Sequence, residues 1–125
     1  MSDVTMTGVL ATVAGVLTWK RVSSSIALVA GKGYLSVGGG TLSFSLPANS
    51  IAGDTVAVSA TGATGWVITQ GASQYIQIGS AFTTTGTGGS LASSAAGDGV
   101  VLVCVIPDTA WIVVPGGSIG NITVV

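Results

Sequence analysis

Apolar side chains recur at every second position along short runs of this chain. Leu42, Phe44 and Leu46 alternate with Thr41, Ser43 and Ser45, and Val56 and Val58 alternate with Thr55, Ala57 and Ser59. Trp66 and Ile68 alternate with Val67 and Thr69, and Ile76 and Ile78 with Tyr75 and Gln77. A period of two sends successive side chains to opposite faces of a sheet, so each run predicts a half-buried strand. Val100 to Ile106 is apolar without a break and rich in β-branched residues, which predicts a strand covered on both faces. Trp111 to Val114 and Ile122 to Val125 read similarly. Turn signals punctuate the runs at short spacing, among them Gly38-Gly39-Gly40, Pro47-Ala48-Asn49, Gly53-Asp54, Gly97-Asp98-Gly99, Pro107-Asp108 and Pro115-Gly116-Gly117. About ten short strands with tight turns predict an all-β domain, a compact β-sandwich or β-prism-like body.

The 125 residues fit one domain. Within it, residues 31–125 read as the β-rich module and residues 1–30 as an N-terminal arm or added strands. Val9, Val13, Val16 and Leu17 could share a helical face, but Gly8, Gly15 and the threonines weaken a helix. The uncharged stretch Val4 to Trp19 lacks the basic start of an export signal, since Asp3 stands there, and Thr and Gly interrupt it as a membrane segment.

Charge is the scarce ingredient. Charged residues make up 6% of the chain, against about a quarter in typical soluble domains, whereas the hydrophobic fraction of 48% is ordinary. The formal net charge is -1, which leaves little repulsion between copies and predicts that much of the surface is buried against other chains. Lys20, Arg21 and Lys32 are the only cations, too few for the phosphate contacts that nucleic-acid binding requires. There is no His, and the four acids are Asp3, Asp54, Asp98 and Asp108, scattered in sequence. General acid–base chemistry and an activated serine both lack their usual partners, so the chain reads as a non-enzyme with no cofactor or metal. Three of the Asp residues adjoin Gly or Pro and read as turn caps. Cys104, alone within an apolar strand, reads as a buried, inert thiol.

The densest concentration of large and amide side chains is Gly65 to Gln70 followed by Gln74 to Gly79. Gln70, Gln74 and Gln77 could hydrogen-bond around a symmetry axis or grip a sugar beside Trp66 or Tyr75; the plainer reading is a core Trp with solvent-facing glutamines. The candidate surface or intersubunit contacts are Trp66, Gln70, Gln74, Tyr75, Gln77, Thr84, Thr85 and Trp111. The loops at 70–74, 83–89 and 115–117 are the candidate contact surfaces. Thr83 to Ser90 is Gly-rich but no Lys follows it, and Gly31-Lys32 has Ile26 and Gly33 where a phosphate loop needs Gly and Ser or Thr, so nucleotide binding is not supported.

From about Tyr34 to the end, the order of features resembles a small β-rich module found at the C-terminal ends of phage tail-fibre and adhesin-like proteins. The pieces that carry the resemblance are Gly33-Tyr34-Leu35, the Leu42 to Pro47 strand ending in Leu-Pro-Ala, Gly53-Asp54, and Gly65-Trp66-Val67-Ile68-Thr69-Gln70. They continue through Gln74-Tyr75-Ile76, Thr84-Thr85-Gly86, Gly89-Ser90-Leu91-Ala92-Ser93, Asp98, Val101 to Val105, Trp111-Ile112-Val113 and Gly120-Asn121-Ile122-Thr123. The resemblance implies a homotrimeric, non-enzymatic module that caps a fibre and exposes loops to a host surface. Only about thirty residues precede the module here, which implies a short fibre, a spike tip or a capsid-decorating protein whose arm docks on other virion proteins.

The expectation is therefore a homotrimeric structural protein of a bacteriophage virion, adhering to a host surface, with a surface glycan as the candidate ligand and with no nucleic acid and no membrane insertion. The alternative is a secreted, extracellular carbohydrate-binding module, in which Trp66, Tyr75 or Trp111 would present a flat exposed ring to sugar. Because so few groups titrate between about pH 5 and 9, the melting temperature should change only slightly across that range and with added salt. A pH series of thermal melts that moves by many degrees would contradict this expectation.

Overall fold

The computed structural model describes residues 17–38, 40–61 and 65–125. Among them are twelve strands: β1 (Thr18–Val22), β2 (Ile26–Ala27), β3 (Lys32–Ser36), β4 (Leu42–Ser45), β5 (Thr55–Ala60), β6 (Trp66–Thr69), β7 (Tyr75–Ile78), β8 (Ala81–Phe82), β9 (Ser90–Ser93), β10 (Gly99–Ile106), β11 (Ala110–Ile119) and β12 (Ile122–Val124). The all-β expectation holds. The count exceeds ten because β2 and β8 are two residues long and too short to show a period.

The strands form two mixed sheets, a seven-stranded one in the order β1-β3-β5-β10-β11-β7-β8 and a five-stranded one in the order β12-β9-β6-β4-β2. From β1 to β7 the chain changes sheet after every strand. Consequently β1, β3 and β5 pair in parallel in one sheet while β2, β4 and β6 pair in parallel in the other. Parallel neighbours need a long crossover, and here each crossover contains a strand of the opposite sheet instead of a helix. Tight antiparallel hairpins are confined to β7–β8 and β10–β11. Most of the turn signals thus link strands of different sheets.

Both sheets bury their alternating faces in one core. Leu42 and Phe44 of β4, Trp66 and Ile68 of β6 and Leu91 of β9 face Tyr34, Val56, Val58, Val100, Leu102, Cys104 and Trp111 of the larger sheet. Each such side chain contributes roughly 1.5–3 kcal/mol when fully buried. The Tyr34 and Phe44 rings meet across the sheets with centroids 5.8 Å apart, and the Tyr34 hydroxyl accepts a hydrogen bond from the Val29 amide at 2.8 Å. Trp66 donates its indole N–H to the Asp98 carbonyl at 2.9 Å, and the same carbonyl accepts the Ala60 amide at 2.8 Å. One backbone oxygen therefore ties β5, β6 and the turn before β10 together.

Two of the three described Asp residues, Asp54 and Asp98, cap their own turns, whereas Asp108 reaches a loop far away in sequence. Asp98 accepts the amides of Ser94 and Ala95, Asp54 accepts that of Ile51, and Asp108 accepts that of Ser50. Cys104 is buried as expected. The first sixteen residues of the expected arm lie outside the described residues. Its remainder supplies β1 and β2, which are added strands at one edge of each sheet.

β10 corrects the expectation of a strand covered on both faces. Val100, Leu102 and Cys104 are buried toward the other sheet, whereas Val101 and Val103 are only half-buried and Val105 and Ile106 are exposed. The second face has no covering layer among the described residues, so an apolar run here reports a sheet with an apolar outer side.

Trp66 and Trp111 are both fully buried, but they differ in one respect: the Trp111 indole N–H has no hydrogen-bond partner among the described residues. Trp66→Phe loses a hydrogen bond and Trp111→Phe removes an unpaired donor, so Trp66→Phe should be the less stable of the two by roughly 2 kcal/mol. Trp66→Ala should cost about 3–5 kcal/mol. Urea titration of the three variants checks both statements, and equal midpoints for the two Phe variants would refute the first.

Candidate functional site

At one end of the sandwich four loops converge. Leu28 bonds to Ser45, Gly31 to Thr55, Gly53 to Cys104 and Tyr75 to Thr109 through the backbone, which brings residues 28–31, 47–54, 70–74 and 107–109 together. Side-chain amides brace this end. Gln70 is buried and directs its Nε2 at the carbonyls of Gln74, Thr84 and Gly86, at 2.9, 3.0 and 2.9 Å, while its Oε1 accepts the Thr83 hydroxyl. Thr83 in turn accepts the Ile76 amide at 2.8 Å. Gln74, also buried, accepts the Gly71 amide at 2.7 Å and donates to the Pro47 carbonyl at 2.9 Å. The packing around Gln70 is close enough that a side chain at Gly89 would run into the Thr84 carbonyl and the Gln70 amide.

A third brace joins loops far apart in sequence. Asp108 stands at φ 59, the one described non-glycine residue with positive φ, and Asp is among the residue types that adopt this region most readily. It accepts the Ser50 amide at 2.6 Å through Oδ1 and donates its own amide to the Ser50 hydroxyl at 2.9 Å. The Ser50 hydroxyl also lies 3.2 Å from Cys104 Sγ. This Ser–Asp pair staples the loop at residue 50 to the loop at residue 108.

Between the end of β4, residues 70–74 and Asp108 these braces hold open a polar concavity of about 390 Å³. A second, apolar slot of about 170 Å³ lies on the outer face of the seven-stranded sheet, between Trp19 and Ile119. The registers put Trp19, Gly33, Ala57 and Val101 in one outer row, and Arg21, Leu35, Ser59, Gly99 and Ile119 in the next. A third row runs through Thr55, Val103, Ile112, Gln77 and Phe82. Trp19 lies directly over Gly33, where any Cβ would strike the indole, and remains 40% exposed. Arg21 is the one charged residue in these three rows.

The eight candidate residues separate into three groups. Trp66 and Trp111 are fully buried, which corrects their reading as surface contacts: each sits on the inward face of its strand and packs in the shared core. Gln70 and Gln74 are buried too, so they are neither solvent-facing nor open to a partner; burial of the adjoining loops has consumed their amides internally. Tyr75 and Gln77 are half-buried on the outer face, where Tyr75 meets Phe82 at 6.1 Å between ring centroids and Gln77 donates to the Gly79 carbonyl. Thr84 and Thr85 are exposed. Sequence reasoning passed over Trp19, Ser45, Ser50 and Ser73. A Trp two residues into a run opposite a Gly signals only once the β1–β3 register is known.

No family model matches the chain, and no curated protein matches it.

Gln70→Leu keeps the volume of the side chain and deprives several buried carbonyls and the Thr83 hydroxyl of their partner. At roughly 1–3 kcal/mol for each buried group left unsatisfied, it should destabilise the chain by more than about 2 kcal/mol. Hydrogen exchange should show the loss first at the amides of residues 70–76 and 83–89. A variant as stable as the parent would mean that Gln70 does not hold this end.

Proposed function

We propose that this chain is a non-catalytic structural protein of a phage virion, a homotrimeric β module that caps a short fibre or spike or decorates a capsid and adheres to a host surface. The single observation that supports this reading most is the apolar outer face of the seven-stranded sheet. A sheet with one face in the core normally turns polar residues to water, and parallel strands in particular are found covered on both sides. Here the outer rows carry Trp19, Leu35, Val101, Val103, Ile112 and Phe82 with a single charge among them. Such a face suits burial against other copies of the same chain.

Charge scarcity points the same way, because a chain with seven charged residues has few gatekeepers to keep its sheet edges from pairing at random. Closed assembly removes that hazard. The number three comes from the resemblance to the fibre module. Three rigid, identical loop ends on one trimer would adhere with higher apparent affinity than any single site provides. Docking onto other virion proteins falls to the N-terminal segment. The stacked-ring reading of a secreted carbohydrate-binding module loses Trp66 and Trp111 to the core, with Tyr75 half-buried.

Light scattering after gel filtration should return about 36 kDa, three times the 12.1 kDa chain. Val101→Lys, which places a cation in the middle of the outer face without touching the core, should shift the mass toward that of the single chain and leave the circular dichroism spectrum unchanged. A monomeric parent chain would sink the assembly reading.

A further inference from the structure

Polar groups around the loop-end concavity divide into two sets. Gln70, Gln74, Ser50 and Oδ1 of Asp108 are engaged within the chain by the hydrogen bonds described above. The hydroxyls of Ser45 and Ser73 and Oδ2 of Asp108 have no such bond among the described residues, and these three residues line the concavity. The first set fixes the walls; the second remains for a ligand. We propose that this concavity binds a neutral, polyhydroxylated ligand, one pyranose-sized unit of a surface glycan, and so is the adhesive site of the module. The proposal rests on the adhesive reading given above and names its ligand class.

The chemistry of the lining selects that class. A carboxylate oxygen only accepts, and two serine hydroxyls both donate and accept, which matches a ring bearing adjacent hydroxyls. Hydrogen bonds to the ionised group are the stronger ones. Ala48 and Ala72 add small apolar surface against which the C–H face of a sugar ring can rest. No cation lines the concavity, and Asp108 would repel an anion, so phosphates and acidic sugars are disfavoured. One carboxylate without further clustered oxygen ligands does not make a calcium site. A volume of about 390 Å³ is at the small end for ligand pockets, adequate for one ring and not for an extended chain.

Preorganisation gives the proposal its force. The Gln70 and Gln74 amides clamp residues 70–74, and the Ser50 pair holds Asp108 in its left-handed conformation, so the three unengaged groups need little ordering on binding. Recognition would proceed by hydrogen bonding in a cleft, not by stacking on an aromatic platform.

The test is a titration of the isotope-labelled full chain with the methyl α-glycosides of glucose, galactose and mannose, read by amide chemical shifts, with N-acetylneuraminic acid as the charged control. At least one neutral glycoside should give saturable shifts at Gly71, Ala72, Ser73 and Asp108. Asp108→Asn should weaken binding roughly tenfold or more, as expected for loss of a charged acceptor. Asn tolerates positive φ and its Oδ1 still accepts from Ser50, so this variant keeps the fold. No saturable shift with any neutral glycoside, shifts confined to the Trp19 and Tyr75 surface, preference for the acidic sugar, or unchanged affinity in Asp108→Asn would each overturn the site. Light scattering on the same sample separates the two claims. A trimer without shifts loses the site and keeps the assembly reading, and a monomer with the stated shifts does the reverse.

Discussion

Burial between the two sheets is the constraint on which everything else depends. Because the chain changes sheet after each of its first six strands, a strand and its successor do not hydrogen-bond to each other there. Each must find a partner two strands away, as β1 finds β3 and β4 finds β6. Such non-local pairing gains little until the intervening strand is docked, so the sheets and the core between them form together. Trp66 is the clearest expression of this coupling. It fills the centre of the core from one sheet and bonds through its indole N–H to the Asp98 carbonyl beside the other.

A chain so poor in charge secures its loops by other means. Buried amides and carboxylates bonded to backbone groups do the work that ion pairs and long charged side chains do elsewhere. Gln70, Gln74 and Asp98 each accept or donate at more than one backbone position. Bonds of this kind are insensitive to salt, and they need no charged side chains on the outer surface. The same economy accompanies both surfaces on which the proposed assembly and adhesion rest: an apolar sheet face and a braced polar end.

Period-two runs made the strands legible. β4 and β6 lie where the alternation of Leu42–Phe44 and Trp66–Ile68 puts them, and the Gly and Pro clusters fall between strands apart from Pro115-Gly116-Gly117, which was expected to be a loop and lies within β11. Asp54 and Asp98 cap their own turns, as local hydrogen bonding predicts, whereas Asp108 bonds to Ser50 in a distant loop. Which turns make hairpins was not legible, because a Gly-rich link has the same composition whether it returns along one sheet or crosses to the other. Gln70 and Gln74 were noticed for their density and misread as outward-facing. Alternation gives the side of a strand a residue occupies, but Gln70 and Gln74 follow and precede strands, where loops from residues 47 and 83–89 close over them.

The sequence by itself determined the all-β class, the inward residues of the main strands and the buried thiol. Those follow from local period and from composition, which need no knowledge of neighbours. Only the tertiary structure decided that the two sheets are mixed and interleaved, that Trp19 lies over Gly33 on an apolar outer face, and that Ser45, Ser73 and Asp108 share one concavity. Those depend on contacts between segments tens of residues apart, and no local pattern encodes which segments will meet.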